Sequence, residues 1–450
     1  MDTPDLLVIG GGSAGLSAAR TARRRGKSVV LVNDGQPGGD CTFTGCVPSK
    51  TLLQASALPF AEAMGRVRET VAAIAADESA DVLRHEGIEV VIGRATFTTP
   101  GAIVVDGRTI TAKKMVIATG SGPVVPKLPG LDTIPFLTNE SLFDLTAQPR
   151  HLAVLGGGAI GCEMAQAFRR LGSEVTVFES LDRLLSKEEP DASEVVRQVF
   201  EQQGINVRLK TKVESVAKVR GGVRIDTDDG AVTASHLLVS VGRKPSSAGL
   251  EPLGLKMSKT GAVEVDLSMR TSVKNVYAAG DVTGRLPFTH AADEMGRVAV
   301  VTALRAWPQK FKEHAVPWVT FTDPEVARVG LTEAEAAQRH KGARVVELQL
   351  AELDRARTAY RTDGFVKIIV GPRRLTGNAG GGRILGATIV AERAGEMMAE
   401  VALALRTGML VGRLAQTSHA YPTWSVGVQQ AVGYLFGFGE GKPRPAVGPS

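Results

Sequence analysis

The sequence predicts an α/β chain in which one dinucleotide-binding plan, the Rossmann-like βαβ unit, occurs twice and is followed by a segment of mixed strands and helices. Three observations carry this. DLLVIGGGSAGLSAARTARRRGKSVVLVND runs from an apolar strand through a glycine turn and a small-residue helix to a second strand, and HLAVLGGGAIGCEMAQAFRRLGSEVTVFES repeats that order. Each copy is followed by a stretch of antiparallel character, IEVVIGRATF to KKMVIATGS in the first and INVRLKTKVESV to HLLVSVGRKP in the second. From Pro317 onward the glycine motifs stop, and strands and helices mix in WVTFTDPEVARVGLTEAEA, GFVKIIVG, RILGATIVA and EMMAEVALALRTGM. The boundaries expected are residues 1–148 and 271–315 for the first nucleotide domain, 149–270 for the second and 316–450 for a scaffolding domain.

Composition narrows the classes of function. Hydrophobic residues make up 43% of the chain and charged residues 22%, the balance of an ordinary globular protein. A net charge of +6 spread over 450 residues gives no case for a nucleic-acid partner. The run RTARRRGK at residues 20–27 reads as the solvated end of the first helix. No apolar stretch approaches 18 residues and the chain enters a strand at once, so a cytoplasmic protein without a membrane partner is expected. Three cysteines are too few for a disulfide framework, which makes a close pair of them a redox or metal-binding candidate.

Each glycine motif lies between a predicted strand and a predicted helix, the context that gives it meaning. Gly10, Gly12 and Gly15, and in the second copy Gly156, Gly158 and Gly161, allow a tight turn, close approach of a pyrophosphate and packing of helix on sheet. The phosphates then meet the positive end of a helix. The residue that ends the next strand should accept a hydrogen bond from the adenosine ribose. Glu179 does this in the second copy and favours the diol of NADH over the phosphate of NADPH. In the first copy the position is Asn33, with Asp34 beside it, and either can take the ribose. In TSVKNVYAAGDVTG a strand ends in Gly280 and Asp281, placed to offer a carboxylate to a sugar-alcohol chain, although a surface turn would read the same.

The most concentrated chemistry is GGDCTFTGCVPSK, residues 38–50. Cysteines five apart on a regular helix do not face each other, because side chains meet at spacings of three and four. Gly45 between Cys41 and Cys46 can relax the backbone and bring the pair within disulfide reach, about 4.4–6.8 Å between α-carbons. Lys50 and a helix N-terminus would favour a thiolate. A zinc site is disfavoured, since no further Cys or His stands nearby at ligand spacing.

That segment resembles the redox segment of the flavin-dependent pyridine nucleotide disulfide oxidoreductases, the family of dihydrolipoyl dehydrogenase, glutathione reductase and mercuric reductase. MVIATGS with Thr119 and Gly120, VGRKP with Gly242 and Arg243, YAAGD with Gly280 and Asp281, and TDPEVARVGLTE are similar to its other landmarks in the same order. The resemblance implies a glutathione-reductase-like fold with a C-terminal α+β dimerisation domain, FAD and NAD as cofactors, and a homodimer. It also implies residue roles. Cys46 is the sulfur beside the flavin, Cys41 the outer sulfur that attacks substrate, and Lys50 pairs with Glu163 near the flavin's reactive edge, while Gly39 joins the cofactor-binding residues. Cys162 reads as a small core residue.

The resemblance departs at the acid/base segment. Where dihydrolipoyl dehydrogenases carry His-x-His-Pro-Thr followed by Glu, this chain has SHAYPTWSVG, with Tyr421 in place of the second His and Val426 in place of the Glu. His419 matches only the first His, as a packing residue or a substitute base. Losing a positioned base forfeits about 10²–10⁴ in rate. The tyrosine resembles mercuric reductase, although the C-terminal cysteine pair of those enzymes is absent and the last cysteine is Cys162. A mercuric-reductase-like enzyme is therefore expected, passing electrons from NADH to a metal ion, a quinone or a small disulfide. The alternatives are a dihydrolipoyl dehydrogenase with an altered base and a non-catalytic NAD/FAD-binding sensor or complex subunit. Tyr421 and His419 are expected to face Cys41 of the partner subunit, and GEGKPRPAVGPS is expected to fray.

Overall fold

A computed structural model of the chain describes residues 3–304 and 307–448. Packing divides it into two compact units. The first comprises the chain up to Lys127, Phe136–Gln148 and Val239–Glu313, and the second comprises Leu128–Pro135, Pro149–Leu238 and the chain from His314. The three-part division read from motifs cuts by sequence signal, whereas packing joins the second nucleotide fold to the C-terminal sheet.

The first unit is built on a parallel sheet in the order Val276–Ala278, Met115–Ile117, Leu6–Ile9, Val29–Asn33, Glu89–Ile92. LLVI and MVI are buried at every position, as strands covered on both faces must be. The helices Ser13–Arg23 and Thr289–Leu304 pack closely enough that a Cβ on Gly296 would lie 2.2 Å from the Ala14 carbonyl oxygen. An antiparallel meander, Thr96–Thr99, Ala102–Val105 and Arg108–Thr111, adds Phe97, Ile103 and Ile110 to the same core as Leu7, Val30 and Met115. Arg23, Arg24 and Arg25 are exposed at the end of the first helix, as the basic run predicts.

In the second unit, Asn206–Arg208, Glu174–Phe178, His151–Leu155 and His236–Val239 form the sheet beneath the second glycine motif. The C-terminal part is an antiparallel sheet, six-stranded among the described residues, in the order Pro317–Thr320, Glu325–Gly330, Arg383–Ala391, Phe365–Gly371, Arg344–Gln349, Arg444–Pro445. Helix Ala394–Thr407 contributes Met397, Met398 and Val401 to its core. The tail expected to fray is the edge strand of this sheet. Arg444 and Pro445 pair with Val345 and Arg344, the Arg444 guanidinium grips both oxygens of Glu333, and the Val447 amide donates to Glu333 at 3.0 Å. Composition misses this because the anchoring carboxylate lies more than 100 residues away. Pro449 and Ser450 fall outside the described residues. Among the described residues no helix is long and apolar enough to cross a membrane.

Candidate active site

The first glycine loop is held by backbone contacts that tolerate no side chain. Gly10 has φ +103°, and a Cβ there would lie 2.2 Å from the Ala118 carbonyl oxygen; a Cβ on Gly15 would lie 1.8 Å from that of Gly10. Gly12 caps helix Ser13–Arg23. The loop is closed from the side by Asn33, whose Oδ1 accepts from the Gly11 amide at 2.7 Å while its Nδ2 donates to the Gly35 and Gln36 carbonyls at 3.1 Å each. Asp34 is exposed. Of the two residues left open by sequence, Asn33 is therefore the one at the loop.

The cysteine segment starts on this loop. Gly39 has φ +68°, and a Cβ on it would sit 2.6 Å from the α-carbon of Gly12, while the Gly38 amide donates to Gly11 at 2.8 Å. Helix Gly39–Phe43 then stops at Thr44 and Gly45, and a second helix, Cys46–Ala55, begins. Gly45 matters for room rather than for a left-handed turn, with φ −121° and a Cβ that would meet the Asp40 carbonyl oxygen at 2.8 Å and the Cys41 α-carbon at 3.2 Å. The interruption brings the two cysteines together, both as thiols. The Cys41 side chain hydrogen-bonds to that of Cys46, and this contact, with burial behind it, pushes the Cys41 thiol far up. Cys46 Sγ lies 3.3 Å from Thr289 Oγ1. Lys50 is half-buried one turn further along the same helix.

A polar frame runs from the cysteines to the GD motif. Asp40, immediately before Cys41, receives Arg243 Nη2 on Oδ2 at 2.6 Å, and on Oδ1 it receives Asn139 Nδ2 at 3.2 Å and the Thr44 hydroxyl. Arg243 also donates through Nε to Ser121 Oγ and through Nη2 to the Ser121 carbonyl, both at 2.9 Å. The Ser121 hydroxyl in turn donates to Asp281 Oδ2 at 2.6 Å. Burial raises the Asp281 carboxyl and the Ser121 hydrogen bond opposes it. Gly280 has φ +80°, and Thr119 and Gly120 are tied to Ser246 by the Thr119 hydroxyl at 2.6 Å and the Gly120 carbonyl at 2.9 Å. Val124 donates to the Gly242 carbonyl at 3.0 Å.

The second unit repeats the glycine loop. Gly156 has φ +112°, Gly158 caps helix Ala159–Arg170, in which Gly161 is buried, and the Gly157 amide donates to Glu179 Oε2 at 2.8 Å. Glu179 Oε1 accepts from the Leu181 amide at 2.9 Å. Cys162 is buried, its thiol donates to the Gly157 carbonyl at 3.3 Å, and burial pushes that thiol well up. Glu163, 4% exposed, accepts from the Phe321 amide at 2.9 Å.

In the C-terminal part, Tyr421 is 71% exposed and donates to Asp354 Oδ2 at 2.9 Å, a contact that raises its phenol. His419 Nε2 stands 2.9 Å from Glu400 Oε2, and its Nδ1 stands 2.9 Å from the Thr417 carbonyl. Val426 is 7% exposed, in the apolar core at the start of helix Val426–Gly433. The first unit thus gathers the first glycine loop, Asn33, both cysteines, Lys50, Thr119, Arg243 and Asp281; the second holds Glu163, Glu179, His419 and Tyr421. Sequence reading missed Asp40, Ser121, Thr289, Asp354 and Glu400. Only Asp40 carried a signal, its place next to Cys41.

The residues fit a flavin dinucleotide. Two glycine backbones in contact, an orphan helix N-terminus, a side-chain acceptor at Asn33 and a buried carboxylate at Asp281 are a cradle for pyrophosphate, ribose and a polyol. A family model described as pyridine nucleotide-disulphide oxidoreductase matches residues 4–296, and the model of that family's dimerisation domain matches residues 316–432. A mercuric reductase of Streptomyces lividans is 36% identical over 458 aligned residues, covering 95% of this chain and 95% of that protein. A dihydrolipoyl dehydrogenase of Thermus scotoductus is 34% identical over 463 residues, covering 96% and 97%. Among solved structures, the Cu(II) complex of the HOCl-induced flavoprotein disulfide reductase RclA from Escherichia coli superposes with a TM-score of 0.88 at 29% identity, covering 96% of this chain and 99% of that one. The two family models and these relatives together cover nearly the whole length: the chain belongs to the pyridine nucleotide-disulphide oxidoreductase family, whose enzymes use FAD and a pyridine nucleotide.

Proposed function

We propose that the protein is a homodimeric, NADH-dependent oxidoreductase of mercuric-reductase type that delivers an electron pair through Cys41 and Cys46 to a metal ion, a quinone or a small disulfide. The observation that carries this is a pair of adjoining cysteines on a segment that starts against the first glycine loop, with Gly39 in contact with Gly12. Bound FAD supplies the two-electron chemistry that links a nicotinamide to a disulfide. The chain's residues do the rest. Gly10, Gly12 and the helix behind them take the pyrophosphate, Asn33 offers the ribose an acceptor, and Asp281, backed by Ser121, takes the sugar-alcohol chain. Cys46 is the inner sulfur and Cys41 the outer one. Lys50, one turn past Cys46, sets the charge around the reacting ring. On the nucleotide side, Glu179 is held by two amides and favours a ribose diol over a phosphate.

Two features support the acceptor class. Tyr421 stands where a dithiol oxidase needs its base, and Val426 is core rather than a carboxylate. Tyr421 and His419 of one chain would face Cys41 of the other, where a hydroxyl can bind an acceptor without removing a proton. Two of the relatives described above carry names of this kind, a mercuric reductase and a Cu(II)-complexed disulfide reductase.

The second reading, a dihydrolipoyl dehydrogenase with a moved base, is favoured by the His419 contact with Glu400 and by the relative of that name. A single experiment separates the two. The purified yellow protein is reduced anaerobically with NADH and challenged with Hg(II), Cu(II), a quinone and a small disulfide, and the oxidised protein is assayed separately for turnover with dihydrolipoamide plus NAD. Reoxidation by the metal ions, the quinone or the disulfide is expected, with dithiol turnover about 10² or more below it; efficient dithiol oxidation that is lost in His419→Gln would favour the second reading, and a flavin never bleached by NADH would overturn both.

A further inference from the structure

We infer that Asp40 is a positioning residue that pins the turn between the two cysteines and so biases the pair towards its disulfide, setting how strong a reductant the dithiol is. This rests on the proposed relay through Cys41 and Cys46.

Asp40 spans the interruption between helices Gly39–Phe43 and Cys46–Ala55. Its carbonyl oxygen accepts from the Thr44 amide at 2.9 Å and its Oδ1 from the Thr44 hydroxyl, so main chain and side chain close the same turn. Asn139, 7% exposed, braces that turn, its Nδ2 shared between Asp40 Oδ1 at 3.2 Å and the Thr44 carbonyl at 3.4 Å. Arg243 holds Asp40 Oδ2 at 2.6 Å and is itself held by Ser121 at 2.9 Å. Within the turn, the hydroxyl of buried Thr42 donates to Glu78 Oε2 at 2.7 Å. All of these residues lie in the first unit.

Both cysteines are thiols, and their side chains are already in hydrogen-bonded contact. Joining two sulfurs across a mobile turn costs the conformational entropy of ordering it; a turn that is ordered before the bond forms has met that cost, which favours the disulfide over the dithiol. Charge acts in the same direction. The carboxylate next to Cys41 balances Arg243, and without it the guanidinium keeps its charge, loses that partner and stabilises a thiolate, which exists only in the reduced form. Loss of Asp40 therefore moves the pair towards the dithiol on both counts. Oxidation releases two electrons and the protons of both thiols as the Cys41–Cys46 bond forms. With oxidised dithiothreitol as the probe, its own S–S bond breaks and takes up those electrons and protons.

The holoenzyme is equilibrated anaerobically at neutral pH in graded mixtures of oxidised and reduced dithiothreitol, and its Cys41 and Cys46 thiols are trapped by alkylation and counted by mass spectrometry. In Asp40→Ala the equilibrium should shift about tenfold towards the dithiol, a potential about 30 mV less negative. In Thr44→Val, which loses one pin and keeps the carboxylate on Arg243, it should shift the same way about threefold, and Thr44→Ser should behave as wild type because it restores the hydroxyl. Flavin content is checked in each variant; Asp40→Asn replaces Asp40→Ala if alanine does not retain FAD, and Thr44→Val decides if neither does. Wild-type protein that forms no Cys41–Cys46 disulfide in oxidised dithiothreitol would overturn the relay itself. Wild-type protein that forms it, with an unchanged equilibrium in the Asp40 variant that retains FAD, or in Thr44→Val should neither retain it, would overturn this inference alone.

Discussion

The two glycine loops share one backbone and differ in what closes them. Gly10 and Gly156 turn at φ +103° and +112°, Gly12 and Gly158 cap the following helices in the same extended conformation, and the amide of the middle glycine in each donates to the side chain that ends the next strand. In the first loop that side chain is neutral Asn33, locked by three hydrogen bonds, and the cysteine segment lies on top, Gly39 against Gly12. In the second it is charged Glu179, and a Cβ on Gly158 would have no atom of the described residues within 4 Å. A sealed, uncharged loop suits a cofactor that stays. An open loop with a carboxylate suits one that enters, is discriminated by its ribose and leaves.

The largest effect expected from this contrast is in the glycines. Gly39→Ala forces a side chain into the Gly12 backbone at a left-handed position, a cost of about 1–3 kcal/mol, and the protein should purify largely without flavin. Gly158→Ala should unfold at the wild-type temperature and show its defect only as a raised KM for nucleotide. Equal thermal losses in the two would break the comparison. Next, Glu179→Gln keeps an acceptor for the Gly157 amide but removes the charge, and the ratio of kcat/KM for NADH over NADPH should narrow about tenfold. No preference in the wild type would show that the carboxylate does not discriminate. Asn33→Asp sharpens the other side: aspartate cannot donate to the Gly35 and Gln36 carbonyls, so flavin affinity should fall several-fold, about 1 kcal/mol, by equilibrium dialysis.

The smallest effect is in pH dependence and concerns the cysteine under the second loop. The Cys162 thiol is raised by burial, so the folded state keeps a proton that the unfolded chain releases once pH passes the ordinary value of 9.0. Its contribution to stability is therefore complete below about pH 9 and declines above it. Cys162→Ala should flatten the loss of stability between pH 9 and 11, measured by urea unfolding, without altering the neutral-pH alkylation of Cys46.

Much of this contrast was legible because it lies in short stretches of backbone. A GxGxxG between strand and helix dictates the turn, and the strand-ending Asn33 and Glu179 fall 22 residues after the glycines they meet. Even the break between the cysteines was readable, since two side chains five apart must leave a regular helix to touch and only Gly45 offers the room. The polar frame was not. Asp40 meets Arg243, and Ser121 meets Asp281, across 160 or more residues, and no local spacing encodes those pairs. Thr289 likewise reaches Cys46 only because two serines dock its helix. The tail failed for the same reason, its composition saying nothing of Glu333.

Electrons from NADH are proposed to pass through the two sulfurs of the segment that starts on the sealed loop. Anaerobic titration of the oxidised holoenzyme with NADH, with thiols counted by mass spectrometry at each step, tests it most directly. About two equivalents of NADH should be consumed per flavin, two alkylatable thiols should appear at Cys41 and Cys46, and the long-wavelength band should grow with the first equivalent and be absent in Cys46→Ser. Flavin reduced by one equivalent, with the same thiol count before and after, would contradict it.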